Sequence, residues 1–157
     1  MKNLKAVLLG IFMCVSMIGF AACSDDDDPK PEPEPQEKIT EVTYEFKCSA
    51  DLFENANLQA FYKDKDGKEQ VETIEGGKWS KNVKEIKPPF KANLRVVMGQ
   101  KADFKPTKDV YDIDIAMSIS SPGVSTSNRS SSFSIGKEAF EGFIADKELK
   151  SVSLSIK

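Results

Sequence analysis

The sequence predicts an all-β protein, a single antiparallel β-sandwich of about seven strands with one short helix near the C-terminus. Three observations predict it. Apolar and polar residues alternate with a period of two through most of the chain after residue 39, as in strands with one buried and one wet face. Glycine, proline and aspartate clusters recur between those runs, as turns between neighbouring strands do. One helical stripe interrupts the pattern, Phe140, Phe143 and Ile144 within residues 137–146.

In the first run Val42, Tyr44, Phe46 and Cys48 share one face, and Glu41, Thr43, Glu45 and Lys47 the other. Residues 57–63 and 69–75 form the next two strands. They are joined through Asp64-Lys65-Asp66-Gly67, whose Asp-Gly step is a hairpin signal. These acids do not make a calcium loop. With Asp64 as the third ligand position, the first and twelfth fall on Tyr62 and Thr73, and neither is a carboxylate. After Gly76-Gly77, Trp79 opens a strand that reaches Ile86 and stops at Pro88-Pro89, since proline cannot donate to a ladder. Leu94, Val96 and Met98 alternate in a further strand.

The clearest strand spans residues 110–120, with Tyr111, Ile113, Ile115, Met117 and Ile119 on one face. Residues 120–132, rich in serine around Pro122 and Gly123, predict a mobile loop. Phe133 and Ile135 resume the alternation, and Val152, Leu154 and Ile156 close the chain as a final strand. An immunoglobulin-like arrangement is one form such a sandwich takes, although the Cys–Trp–Cys pattern of antibody domains is missing; a small barrel is the alternative.

Composition narrows the function. A chain of 157 residues, 39% hydrophobic and 30% charged, suits one globular body rather than a polytopic membrane protein. With 22 basic and 25 acidic residues, no cationic excess exists to hold a phosphate backbone, so nucleic acid is not expected as a partner. Histidine is absent, which removes Ser-His and Cys-His nucleophiles and histidine metal sites. There is no Gly-x-Ser-x-Gly and no phosphate-cradling glycine loop. The expectation is therefore a protein that is not an enzyme and needs no cofactor or metal.

The N-terminus carries a different kind of information. Residues 1–22 read as a secretory signal peptide: Lys2 and Lys5, then a nearly unbroken apolar run over 6–20, then Ala21 and Ala22 before Cys23. The run is shorter than the ~20 residues of a bilayer span; an uncleaved anchor helix is the alternative. Phe20-Ala21-Ala22-Cys23 resembles the lipobox of bacterial lipoproteins, with Phe20 standing where the family prefers Leu or another aliphatic residue. The resemblance implies lipidation at Cys23: a diacylglyceryl thioether, cleavage before the cysteine and acylation of its new amino group, with palmitate-like chains. Several acyl chains hold a protein firmly at a membrane, at about 0.8 kcal/mol per buried methylene, where one chain is marginal.

Ser24-Asp25-Asp26-Asp27-Asp28 follows at once. It is similar to the export signal of surface lipoproteins in Bacteroidota, which implies an outer-membrane protein facing the cell exterior. A solvated acidic spacer is the plainer alternative. Pro29-Lys30-Pro31-Glu32-Pro33-Glu34-Pro35 then alternates proline with charge and predicts a polyproline II tether. Residues 24–38 reach on the order of 45 Å when extended. Residues 23–38 are thus lipidated cysteine, acidic run and tether, and residues 39–157 the β-sandwich domain. Cys14 leaves with the signal and Cys23 is lipidated, so Cys48 stands alone and the mature chain forms no internal disulfide. On the inner face of its strand, Cys48 is expected to act as a small hydrophobe.

Two groups in the domain invite a functional role. Asp112 and Asp114 share a strand face about 7 Å apart; they form either a carboxylate pair or the wet face of an amphipathic strand, and no third group supports the former. Trp79 beside Gly76-Gly77, with Tyr62 or Phe90, and Phe61 where the alternation breaks, are candidate ligand-contact aromatics, since exposed rings stack on sugars. A core position is the alternative for Trp79. The expected partners are the membrane, through the lipid, and a surface glycan or a protein. The expected function is a non-catalytic binding or accessory module at the cell surface; the alternative is a structural or assembly subunit of a surface complex or appendage, joined through an edge strand or residues 152–156.

Overall fold

A computed structural model describes residues 39–145 and 147–157. The signal peptide, Cys23, Ser24, the aspartates at 25–28 and the tether lie outside the described residues. In chain order the elements are β1 (Thr40–Cys48), α1 (Ala50–Asn55), β2 (Ala56–Lys63), β3 (Glu69–Ile74), β4 (Lys78–Ile86), β5 (Phe90–Gln100), β6 (Val110–Ser121), β7 (Val124–Gly136), α2 (Lys137–Ile144), β8 (Lys147–Glu148) and β9 (Val152–Ile156). They build two antiparallel sheets, one ordered β4-β1-β6-β7 and the other β3-β2-β5-β8, with β9 also paired to β5.

Alternation along each strand makes the core. Val42, Tyr44 and Phe46 of β1 and Ile113 and Ile119 of β6 are fully buried; facing them are Leu58 and Ala60 of β2 and Leu94, Val96 and Met98 of β5. Removing such a side chain from water contributes about 1.5–3 kcal/mol. The β2–β3 hairpin closes as its Asp-Gly step predicts. Gly67 sits at φ +75°, where a Cβ would be strained, and Asp64 Oδ1 accepts from the N–H groups of Asp66 (3.0 Å) and Lys68 (2.9 Å). The strand allocation is this chain's own: β1 and β2 lie in opposite sheets, whereas the first two strands of an immunoglobulin domain share one.

Residues 120–132 do not form a mobile loop. Pro122-Gly123, with Gly123 at φ +73°, makes a tight turn of the proline–glycine kind, and Val124–Gly136 pairs with β6 along almost its whole length. Short polar side chains in β7 erased the apolar alternation on which strand recognition depends. Helix α1 also lacks a sequence signature, being only six residues long. It is held by Leu52, which is fully buried, and by Asp51, which is 8% exposed. Asp51 accepts from Lys108 Nζ and, at 2.8 Å, from the Asp112 N–H of β6. Burial pushes the Asp51 carboxyl up, but the hydrogen bonds from Lys108 and Asp112 and the Lys108 charge outweigh it and hold the group below the usual carboxylate range. The structure has nine strands among the described residues where the sequence predicts about seven. Part of the difference is β8, two residues long.

Candidate functional site

The candidate aromatics divide between the two faces of the sheets. Phe61 and Tyr62 are sequence neighbours on β2, so they face opposite sides of the sheet. Phe61 lies on the outer face with the Arg95 guanidinium 4.0 Å from its ring centroid. Tyr62 is buried at 5% exposure, between Tyr44 (5.5 Å) and Trp79 (5.7 Å). Trp79 is half-buried on the inner face of β4, opposite Phe46. Phe90 packs against the core at the start of β5. No common stacking face results.

Trp79 instead belongs to a seal. At the β3/β4 edge, Glu72 points inward from β3, opposite the small Ala60. Its Oε1 accepts from Tyr62 Oη (2.8 Å) and Lys81 Nζ (2.6 Å), and its Oε2 from Trp79 Nε1 (3.2 Å). Partial burial pushes the Glu72 carboxyl up; the hydrogen bonds from Lys81, Tyr62 and Trp79 and the Lys81 charge outweigh this and hold it below the usual carboxylate range. The hydrogen bond to Glu72 in turn raises Lys81. Inward-pointing charges of this kind blunt edge strands, and here they neutralise each other across the two sheets.

The opposite edge is open. Where β7 of one sheet faces β8 of the other, the sheets part into a cleft of about 390 Å³. Its floor is Ile115 and Met117, inner-face residues of β6 that are 8% and 3% exposed. Its walls are Phe133 of β7 and Phe143 of α2, which meet edge to face at 5.5 Å. Phe133 is 36% exposed, one of the few large apolar side chains left in water. Strand register fixes two cations at this mouth. Arg129 pairs with Met117 and Lys147 with Met98, both inner-face partners, so Arg129 and Lys147 lie on the inner sides of their strands. Lys147 Nζ sits 4.3 Å from the Phe143 ring centroid. Glu148 is the one acid among the described lining residues, and it accepts from Arg95 Nη1 at 3.2 Å, being paired with Val97.

A second depression, about 410 Å³, lies on the outer face and involves Lys47, Asp114, Ala116 and Ser130. Asp112 and Asp114 stand on this face, each accepting from a serine of β7: Ser134 Oγ at 2.6 Å and Ser132 Oγ at 2.5 Å. They form cross-strand polar pairs of the sort that stabilise a sheet. Cys48 is half-buried, and burial pushes its thiol up to about 11, so at neutral pH it stays protonated and weakly nucleophilic. Among the described residues no helix is long and apolar enough to cross a membrane.

No known protein family, no curated protein and no solved structure matches this chain.

The cleft residues were missed in the sequence because the expected loop hid β7. Alternation backward from Ile135 and Phe133 runs through Ser131 and Arg129. Continued by two further inner-face positions, four residues past Phe133, it would have placed Arg129 on the inner face.

Proposed function

We propose that the chain is a lipid-anchored, surface-displayed binding module whose ligand occupies the cleft between β7 and β8. The anchoring half rests on the residues of the N-terminus: an apolar leader, Ala21-Ala22-Cys23, and the acidic run directly after it. The binding half rests on one observation, an open apolar cleft with convergent cations on an otherwise closed sandwich. Such clefts, of about 300–1,000 Å³, are the usual form of small-ligand sites. With no histidine in the chain, the module acts by holding and presenting rather than by chemistry. For a glycan ligand the aromatics offer no shared exposed platform: Phe61 lies on the outer face, while Tyr62 is buried and Trp79 packs beside it, hydrogen-bonded to Glu72.

Anchoring and sorting separate in two variants. Cys23→Ala is expected to move the protein out of the membrane fraction. Alanine at all four of Asp25, Asp26, Asp27 and Asp28 is expected to leave it membrane-bound but protected from protease added to intact cells. Membrane retention of the first variant, or shaving of the second, contradicts the respective step.

An assembly role is favoured by a separate observation. Three of the four sheet edges are guarded. β3 is short and carries the inward Glu72; β4 carries Lys78, Lys81, Lys84 and a bulged Glu85 at φ +60°; β8 and β9 interrupt each other. β7 offers 13 residues with Arg129 as the single charge, a template for strand addition. Light scattering of the chain from Ser24 onward is expected to give a mass above the monomer if this edge is used; a monomer at all concentrations removes self-pairing.

A further inference from the structure

Resting on the cleft as the binding site, we propose that it takes a small amphiphilic anion, a carboxylate carried on an aromatic or acyl body. The two edges of the sandwich make the case by contrast. At the β3/β4 edge the inward charges are a carboxylate and an ammonium, and they satisfy each other. At the β7/β8 edge both inward charges among the described residues are cations, Arg129 and Lys147. The acid beside them, Glu148, is committed to Arg95 on the outer face. Two like charges brought toward one apolar cleft repel, and the arrangement leaves a carboxylate-sized deficit of negative charge.

The chemistry of each group fits one part of the ligand. A guanidinium presents parallel N–H donors that match a carboxylate, and an ammonium adds a point charge. The Phe143 ring under Lys147 Nζ favours the cation over the ring, which keeps it at the mouth. Below the charges, Ile115 and Met117 with the Phe133 ring form an apolar bed. The bed needs a hydrocarbon partner, because a fully polar anion would dry it without replacing the lost contacts. The volume of about 390 Å³ admits a ring or a short acyl chain. Lys150 stands on the same rim and adds to the positive field.

Calorimetric titration of the chain from Ser24 to Lys157, made without lipid, tests the assignment. The probes are 3-phenylpropionate, 3-phenylpropan-1-ol, 3-phenylpropylammonium and acetate. The phenylpropionate is expected to bind about tenfold or more tighter than the alcohol, with no binding of the ammonium or of acetate. Arg129→Gln/Lys147→Gln, both changes lying on exposed rim residues, is expected to abolish the preference for acid over alcohol while leaving alcohol binding intact. If acid and alcohol bind equally to the wild type, the cleft is a binding site but the anionic ligand class is wrong. If the double variant keeps the preference, the two cations are not its source and the assignment falls. If none of the four probes binds, the cleft reading itself fails along with the ligand class.

Discussion

Phe140→Ala is expected to lower the free energy of unfolding by about 3–5 kcal/mol and the melting temperature by roughly 10–20 °C. Phe140 is the anchor of α2. Its side chain is fully buried, its ring stacks on Tyr111 with centroids 3.9 Å apart and planes 8° from parallel, and Phe104 meets it edge-on at 5.8 Å. Alanine removes a ring packed between α2, β6 and the connection from β5 to β6, and the backbone around it cannot close the space without moving α2. That helix also carries Phe143, so the cleft wall loosens with the core. Urea denaturation of the chain from Ser24 onward measures the loss. The companion variant Phe143→Ala, whose ring is only half-buried, is expected to cost clearly less. A loss under about 1 kcal/mol for Phe140→Ala would mean that α2 does not pack as described.

Glu72→Lys is the second large effect, about 2–3 kcal/mol of destabilisation. One carboxylate receives Tyr62, Lys81 and Trp79. A lysine there leaves three donors without an acceptor and places a second ammonium beside Lys81. Glu72→Gln keeps the shape and is expected to cost less, because its amide oxygen still accepts. The two carboxyl forms also separate by pH. The folded state holds Glu72 below its ordinary value, so its contribution is fully present above about pH 4.3 and is lost as pH falls below that toward the folded value. The stability gap between wild type and Glu72→Gln is therefore expected to be largest at neutral pH and to narrow in acid. Denaturation curves at pH 7 and pH 3.5 check it; a gap that widens in acid contradicts the charged role of Glu72.

The fold was legible wherever apolar residues marked every second position. β1 and β6 carry their buried faces in plain view, and the hairpin at Asp64–Gly67 announces itself through turn chemistry. Where small polar residues replace apolar ones the period vanishes although the strand does not, as in β7. The site was less legible because it depends on pairing. Nothing in the sequence places Glu72 against Lys81 or Trp79, since those contacts join strands of different sheets. Likewise Arg129 and Lys147 share a cleft only because β7 and β8 end up as facing edges. Tyr62 and Phe61 could have been separated at once, as adjacent residues of a strand never share a face.

Methyl-resolved NMR of the isoleucine and methionine side chains during titration with 3-phenylpropionate tests most directly whether one edge is sealed and the other receives an anion. The Ile115 and Met117 methyl signals are expected to shift with saturation, while those of Ile74 and Ile86 near the β3/β4 edge hold still. Shifts at Ile74 and Ile86, or none at Ile115 and Met117, would contradict it.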